Sequence, residues 1–274
     1  MTIFIGFPED LFSWINGSPA CKNEADPRFL EFYKPYLESN REIIAQTQTE
    51  MQISELWDKY LKLLNEGKYE EACEKCFEID KLKPKDYVVF NNWGSTLGLL
   101  AKLRGDEKLF EQAHQKFEQA VNIEPEKYGA YCNWGIALTE WARLKGDEKL
   151  FEQAHQKFEH AVNIESNKPE VYDNWAGILI YWSKLKIGTP EYEGLIKQAD
   201  GKCLKAESLR KGSSAYRLAR IYALRSDKEQ CRKWLLTGQE AGTLPERDYA
   251  MKESDLDKVK NEPWFKEIKW QVEK

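Results

Sequence analysis

Three asparagines, Asn92, Asn133 and Asn174, recur 41 residues apart, and each precedes a tryptophan: Trp93, Trp134 and Trp175. A side-chain amide carries a donor and an acceptor, so it can pair with both polar groups of one peptide unit. That is chemistry for binding, not for bond breaking. A second group lies between Arg210 and Lys233. There Arg210, Lys211, Arg217, Arg220, Arg225, Lys228, Arg232 and Lys233 outnumber Asp227 and Glu229. Such a cluster suits an acidic group, or is simply a solvated basic face.

The other reactive side chains form no constellation. Cys73-Glu74-Lys75-Cys76 has redox or zinc spacing, but no second pair exists and the motif reads as packing. His114 and His155 are copies of one position and His160 stands alone, so no metal site is expected. Arg104-Gly105-Asp106 looks like a cell-adhesion tripeptide, yet its copy reads Lys145-Gly146-Asp147 and both read as turns. Neither a phosphate-cradling glycine loop nor a nucleophile–base–acid pattern occurs. The expectation is no catalytic residue, no cofactor and no enzyme.

Composition narrows the partners. Lys plus Arg is 41 against 46 for Asp plus Glu, a net charge of −5 in 274 residues. That balance gives no drive toward a phosphate backbone, so no nucleic-acid partner is expected. Apolar stretches fall short of the ~20 residues that cross a bilayer, and no membrane partner is expected either. Met1 to Asp10 lacks the basic region of a signal peptide. The 6 cysteines are too sparse for a disulfide scaffold, so a cytoplasmic location is expected.

Functional residues need elements to position them, and here the elements repeat. Gly105 to Glu124 and Gly146 to Glu165 are identical except for Gln119 against His160. Phe90, Trp93, Gly94 and Leu97 make one helical stripe; Phe110, Ala113, Phe117, Ala120 and Val121 make a second after the turn. A helix hairpin cannot bury both stripes alone, so hairpins must stack.

These residues resemble the tetratricopeptide repeat (TPR) family. From Tyr87, the signature positions hold Phe90, Trp93, Gly94, Leu97, Ala113, Phe117, Ala120 and Pro125, with seven residues inserted before Ala113. From Tyr128 they hold Tyr131, Trp134, Gly135, Leu138, Ala154, Phe158 and Ala161, and from Pro169 Tyr172, Trp175, Ala176 and Leu179. The resemblance implies an all-α, right-handed α-solenoid of antiparallel helix pairs with N- and C-terminal helical caps. The expected division is a cap or extension over 1–52, five repeats over 53–242 (about 53–86, 87–127, 128–168, 169–211 and 212–242) and capping helices over 243–274. The insertion should lengthen each middle helix by about one turn, ~5 Å.

The resemblance also implies a function: a non-enzymatic adaptor that binds an extended segment of a partner protein in its concave groove. Asn92, Asn133 and Asn174 would form a ladder holding the peptide backbone, unless they were merely copied with the unit and face water. Arg217 and Arg220, one turn apart, would face the same side and read an acidic group, with Arg143 and Lys184 on the same wall. The dicarboxylate clamp of some TPR domains is not matched, because Ser95, Ile136 and Gly177 stand where it wants asparagine. Another reading is an assembly subunit working through its N-terminal segment or convex face. The aromatic run from Phe29 to Ile44, after the helix start Asp26-Pro27, reads as a cap on the first repeat or as a plug in the groove. At the other end Ser254-Asp255-Leu256-Asp257 is expected to cap a short helix, and Pro263-Trp264-Phe265 to begin another.

Overall fold

The computed structural model describes residues 40–271. Two compact units divide between Leu56 and Trp57. Within the first, the described residues form the N-terminal part of helix α1 (Arg41–Asn65), where the Thr47 and Thr49 hydroxyls donate to the Ile43 and Ala45 carbonyls. Asp26-Pro27 and nearly all of the aromatic run that was expected to cap or plug the array lie outside the described residues.

The second unit continues with α2 (Tyr69–Leu82) and then four helix pairs. These are α3 (Tyr87–Arg104) with α4 (Glu107–Ile123), α5 (Tyr128–Lys145) with α6 (Glu148–Ile164), α7 (Pro169–Lys184) with α8 (Pro190–Leu209), and α9 (Ala215–Leu224) with α10 (Lys228–Ala241). After them come α11 (Arg247–Lys252), a 3-10 turn (Ser254–Leu256) and α12 (Pro263–Glu267). First helices touch in the order α3, α5, α7, α9 and so make one continuous wall.

Local chemistry sets the boundaries. Gly105 and Gly146 end α3 and α5 in the left-handed region at φ 64° and 65°, which costs a residue without Cβ little. The next residues, Asp106 and Asp147, accept from the amides of Lys108 and Lys149 at 2.9 Å and start the second helix. The Gly-Asp pair in each copy is therefore a stop followed by a start. The inserted residues lengthen the middle hairpins: α3 and α4 have 18 and 17 residues, against 10 and 14 for α9 and α10.

Phe117 and Phe158 lie fully buried between their pairs, each ring against a glycine of the first helix. Added length brings its own stacks: Trp141 lies parallel to Phe110 at 6.0 Å, and its copy Trp182 to Phe151 at 6.3 Å. Burying one such aromatic side chain stabilises by about 2–3 kcal/mol.

At the C-terminal end the expected Ser254 cap is corrected. No side-chain cap forms there; the segment is a 3-10 turn that carries Asp255 into the interior. Phe265 of α12, together with Leu256 and Val259, packs on Ala219, Ala223, Cys231 and Leu235 and so covers the last pair.

Candidate functional site, the wall of first helices

Two of the three wall tryptophans, Trp134 and Trp175, combine a hydrogen bond with a cation over the ring. Trp134 Nε1 donates to His114 Nδ1 at 3.1 Å, and Trp175 Nε1 to His155 Nδ1 at 3.0 Å. Lysines lie over the rings: Lys116, Lys157 and Lys202 place Nζ 3.7, 3.5 and 3.3 Å from the ring centres of Trp93, Trp134 and Trp175. The histidines come from one repeat and the tryptophans from the next, so these bonds join adjacent pairs. Sequence reasoning gave His114 and His155 no role. The signal was an equal offset of 20 residues from His to Trp in both copies.

An indole N–H needs an unprotonated Nδ1. Burial pushes both histidines below the ordinary 6.5; nearby Glu118 and Glu159 oppose the shift, and Lys157 and Lys202 add to it. A lowered folded-state pKa means that the unfolded chain binds more protons as pH falls. The contribution is therefore present above 6.5 and is lost progressively below it. Thermal denaturation should show stability falling as the pH drops below 6.5. The double variant His114→Gln, His155→Gln should flatten that limb, and an unchanged slope would exclude the histidines as its source.

The asparagine ladder is partly spoken for. Asn133 Nδ2 donates to Asn91 Oδ1 at 3.1 Å, and Asn91 Nδ2 to Asn92 Oδ1 at 3.2 Å. Asn91, which the repeat spacing did not single out, thus links two of the three. The Asn174 side chain is half-buried and makes no hydrogen bond among the described residues.

Between α3 and α5 this polar strip opens into a groove of about 200 Å³. Ser95, Leu99, Asn133, Ile136 and Ala137 line it, and Lys102 and Glu140 face each other at 3.3 Å at its far end. Leu99 and Ile136 remain 46% and 40% exposed.

The basic residues are all engaged by carboxylates of the chain itself. Arg143 lies on the wall, bound to both oxygens of Glu140 at 3.1 Å and stacked 4.0 Å over Tyr181. Lys184 reaches Asp255 at 2.8 Å. Arg217 pairs through Nε with Asp173 at 2.8 Å and lies along α7 at Gly177, where an added Cβ would sit 2.5 Å from the guanidinium. Arg220 requires a correction. Its side chain is 2% exposed and bonds Asp255 Oδ2 at 2.6 and 3.1 Å, with Glu253 at 3.2 Å. It holds the closing segment and does not present itself to a ligand in the groove.

The cysteine pair is also settled by burial, which pushes both Cys73 and Cys76 up to about 12 and leaves thiols with little nucleophilic character. No group of metal-ligating side chains assembles among the described residues. None of the described helices is long and apolar enough to cross a membrane.

Stacked helix pairs with a continuous first-helix wall make this chain a tetratricopeptide-type repeat array. Residues 67–187 match the model of the plant-specific mitochondrial import receptor subunit TOM20. That match overturns the expected cytoplasmic location, since the matched family is one of mitochondrial import receptor subunits. No curated protein matches the chain. Among solved structures it is similar to TTC0263, a thermophilic TPR protein in Thermus thermophilus, at 16% identity and TM-score 0.54 over 69% of this chain and 90% of that one. It is also similar to MamA from Desulfovibrio magneticus RS-1, at 16% identity and TM-score 0.49 over 69% and 94% of the two chains. A third similarity is to YrrB, a TPR protein with an unusual peptide-binding site, at 14% identity and TM-score 0.42 over 76% and 91%. At these identities the likeness concerns the fold.

Proposed function

We propose that this chain is a non-enzymatic interaction module whose first-helix wall takes an extended segment of a partner protein. The observation that carries this reading is the groove between α3 and α5, with exposed Leu99 and Ile136 beside the Asn133 amide. An apolar side chain of the segment sits against Leu99 and Ile136, while its backbone pairs with Asn133 and Asn174. Because Asn133 already donates to Asn91, the segment engages its Oδ1 or displaces that bond. The match of residues 67–187 to import receptor subunits supports a receptor reading, in which the recognised segment belongs to a protein in transit.

The test needs no known partner. Peptides selected from a phage-displayed random library on the wild-type chain should lose about tenfold or more in affinity against Ile136→Glu, which places a charge in the groove. Ile136 is exposed enough for the variant to fold, so melting temperature should hold. Asn133→Ala should weaken the same peptides by a smaller factor. Undiminished binding to Ile136→Glu would remove the groove from the mechanism.

A further inference from the structure

A second pocket lies where the wall meets the closing segment, enclosing about 320 Å³. One side is the start of α9, with Ser213, Tyr216 and Arg217; the other comes from the chain after α10, including Leu244, Tyr249 and Gln271. Two hydroxyls there, Ser213 Oγ and Tyr216 Oη, are buried and make no hydrogen bond among the described residues. Buried hydroxyls usually find partners, because leaving one unpaired costs about 1–3 kcal/mol. Two in one pocket, beside a guanidinium, mark a place built for something else.

The pocket's charges decide what that is. Arg217 is balanced by Asp173, whose Oδ1 also accepts from Ser214 Oγ at 2.6 Å. Arg220 and Lys184 are balanced by Asp255 and Glu253. The pocket therefore offers no surplus charge. What it offers is an excess of donors among its lining residues: two unbonded hydroxyls and the Arg217 guanidinium, against the one carboxylate of Asp173. A carboxylate is acceptor-only, with about four lone-pair sites, and answers such a set better than an amide, which brings donors of its own.

We infer that this pocket binds a carboxylate of the partner segment, from a chain terminus or an acidic side chain. The inference rests on the peptide-binding reading above but concerns a separate place on the wall. Its ligand touches both α9 and the closing segment, so occupancy should tighten the closing segment on the last pair.

The experiment titrates the full chain with three small probes: N-acetyl-tetraalanine as the free acid, the same peptide as its C-terminal amide, and an N-acetyl Ala-Asp-Ala amide. Chemical shifts of residues 213–217 and 243–249 report binding. Without net charge to help, a dissociation constant of about 1 mM is expected for the acid. Binding of the acid but not its amide assigns a chain terminus; binding of the aspartate peptide assigns a side chain. Tyr216→Phe should weaken either by about tenfold, since it deletes a hydrogen bond to a charged group. Its melting temperature should hold or rise, because the lost hydroxyl had no partner. Equal binding of acid and amide, no saturable shift with any probe, or an unaffected Tyr216→Phe would overturn the inference. Ile136→Glu should leave the small probes unaffected, so failure of the groove and failure of this pocket are separable.

Discussion

Asp255→Ala is expected to destabilise the protein by about 3–5 kcal/mol, because it strands a charge in the interior. Arg220 and Asp255 are each 2% exposed and joined at 2.6 Å. Burial works against the Arg220 charge, but the Asp255 and Glu253 carboxylates outweigh it and keep the guanidinium firmly protonated. Arginine cannot escape by losing its proton, so without Asp255 the charge must stay buried or drag its surroundings into water. Glu253 at 3.2 Å is a partial substitute and puts the cost nearer the lower bound. Replacing both partners, Arg220→Met with Asp255→Leu, should cost far less than the single change, since the desolvation of two ions disappears with them. Calorimetry gives the energies, and hydrogen exchange should show extra opening over residues 247–268 in Asp255→Ala. A loss below about 1 kcal/mol would mean that water or Glu253 already shares the charge.

The placement of Arg220 shows where sequence reasoning reached its limit. Repeat periodicity carries the fold because each residue of the stripe meets a copy of the same environment one unit on: Trp134 and Trp175, or Phe117 and Phe158, have equivalent neighbours. Site residues at the array's end have no such copy. Arg220 falls on the wall by spacing, yet its surroundings are set by Glu253 and Asp255, 33 and 35 residues later in a segment outside the repeat. Asn91 escaped notice for a related reason. Its equivalents in the next two units are Cys132 and Asp173, so no recurrence marks it, although it bridges Asn92 and Asn133. Asparagines at the expected spacing were legible; the bonds among them were not, because they depend on side-chain reach between neighbouring helices.

Phe158→Ala is the second large effect, and its interest lies in what it does with Gly135. Phe158 is fully buried, so truncation should cost about 3–5 kcal/mol through lost burial and an unfilled cavity. Gly135 faces that ring so closely that an added Cβ would lie 2.6 Å from Cε2 of Phe158; at the duplicate pair, Gly94 and Phe117, the gap is 3.1 Å. The glycine is thus a packing choice, letting α5 approach α6 with a phenyl ring between their axes. Gly135→Ala alone should overpack the site and cost about 1–3 kcal/mol, with helix propensity of up to ~1 kcal/mol in its favour reducing the net loss. Gly94→Ala should cost less, since the neighbouring ring needs to yield by a smaller distance. In the double variant Gly135→Ala, Phe158→Ala the clash is gone and the new methyl enters the cavity. The combined loss should therefore be smaller than that of Phe158→Ala alone, a coupling that additive sites cannot produce. Denaturant titrations of the four proteins in this cycle measure it. Strict additivity would mean that α5 and α6 shift apart freely, and that the glycine does not set their spacing.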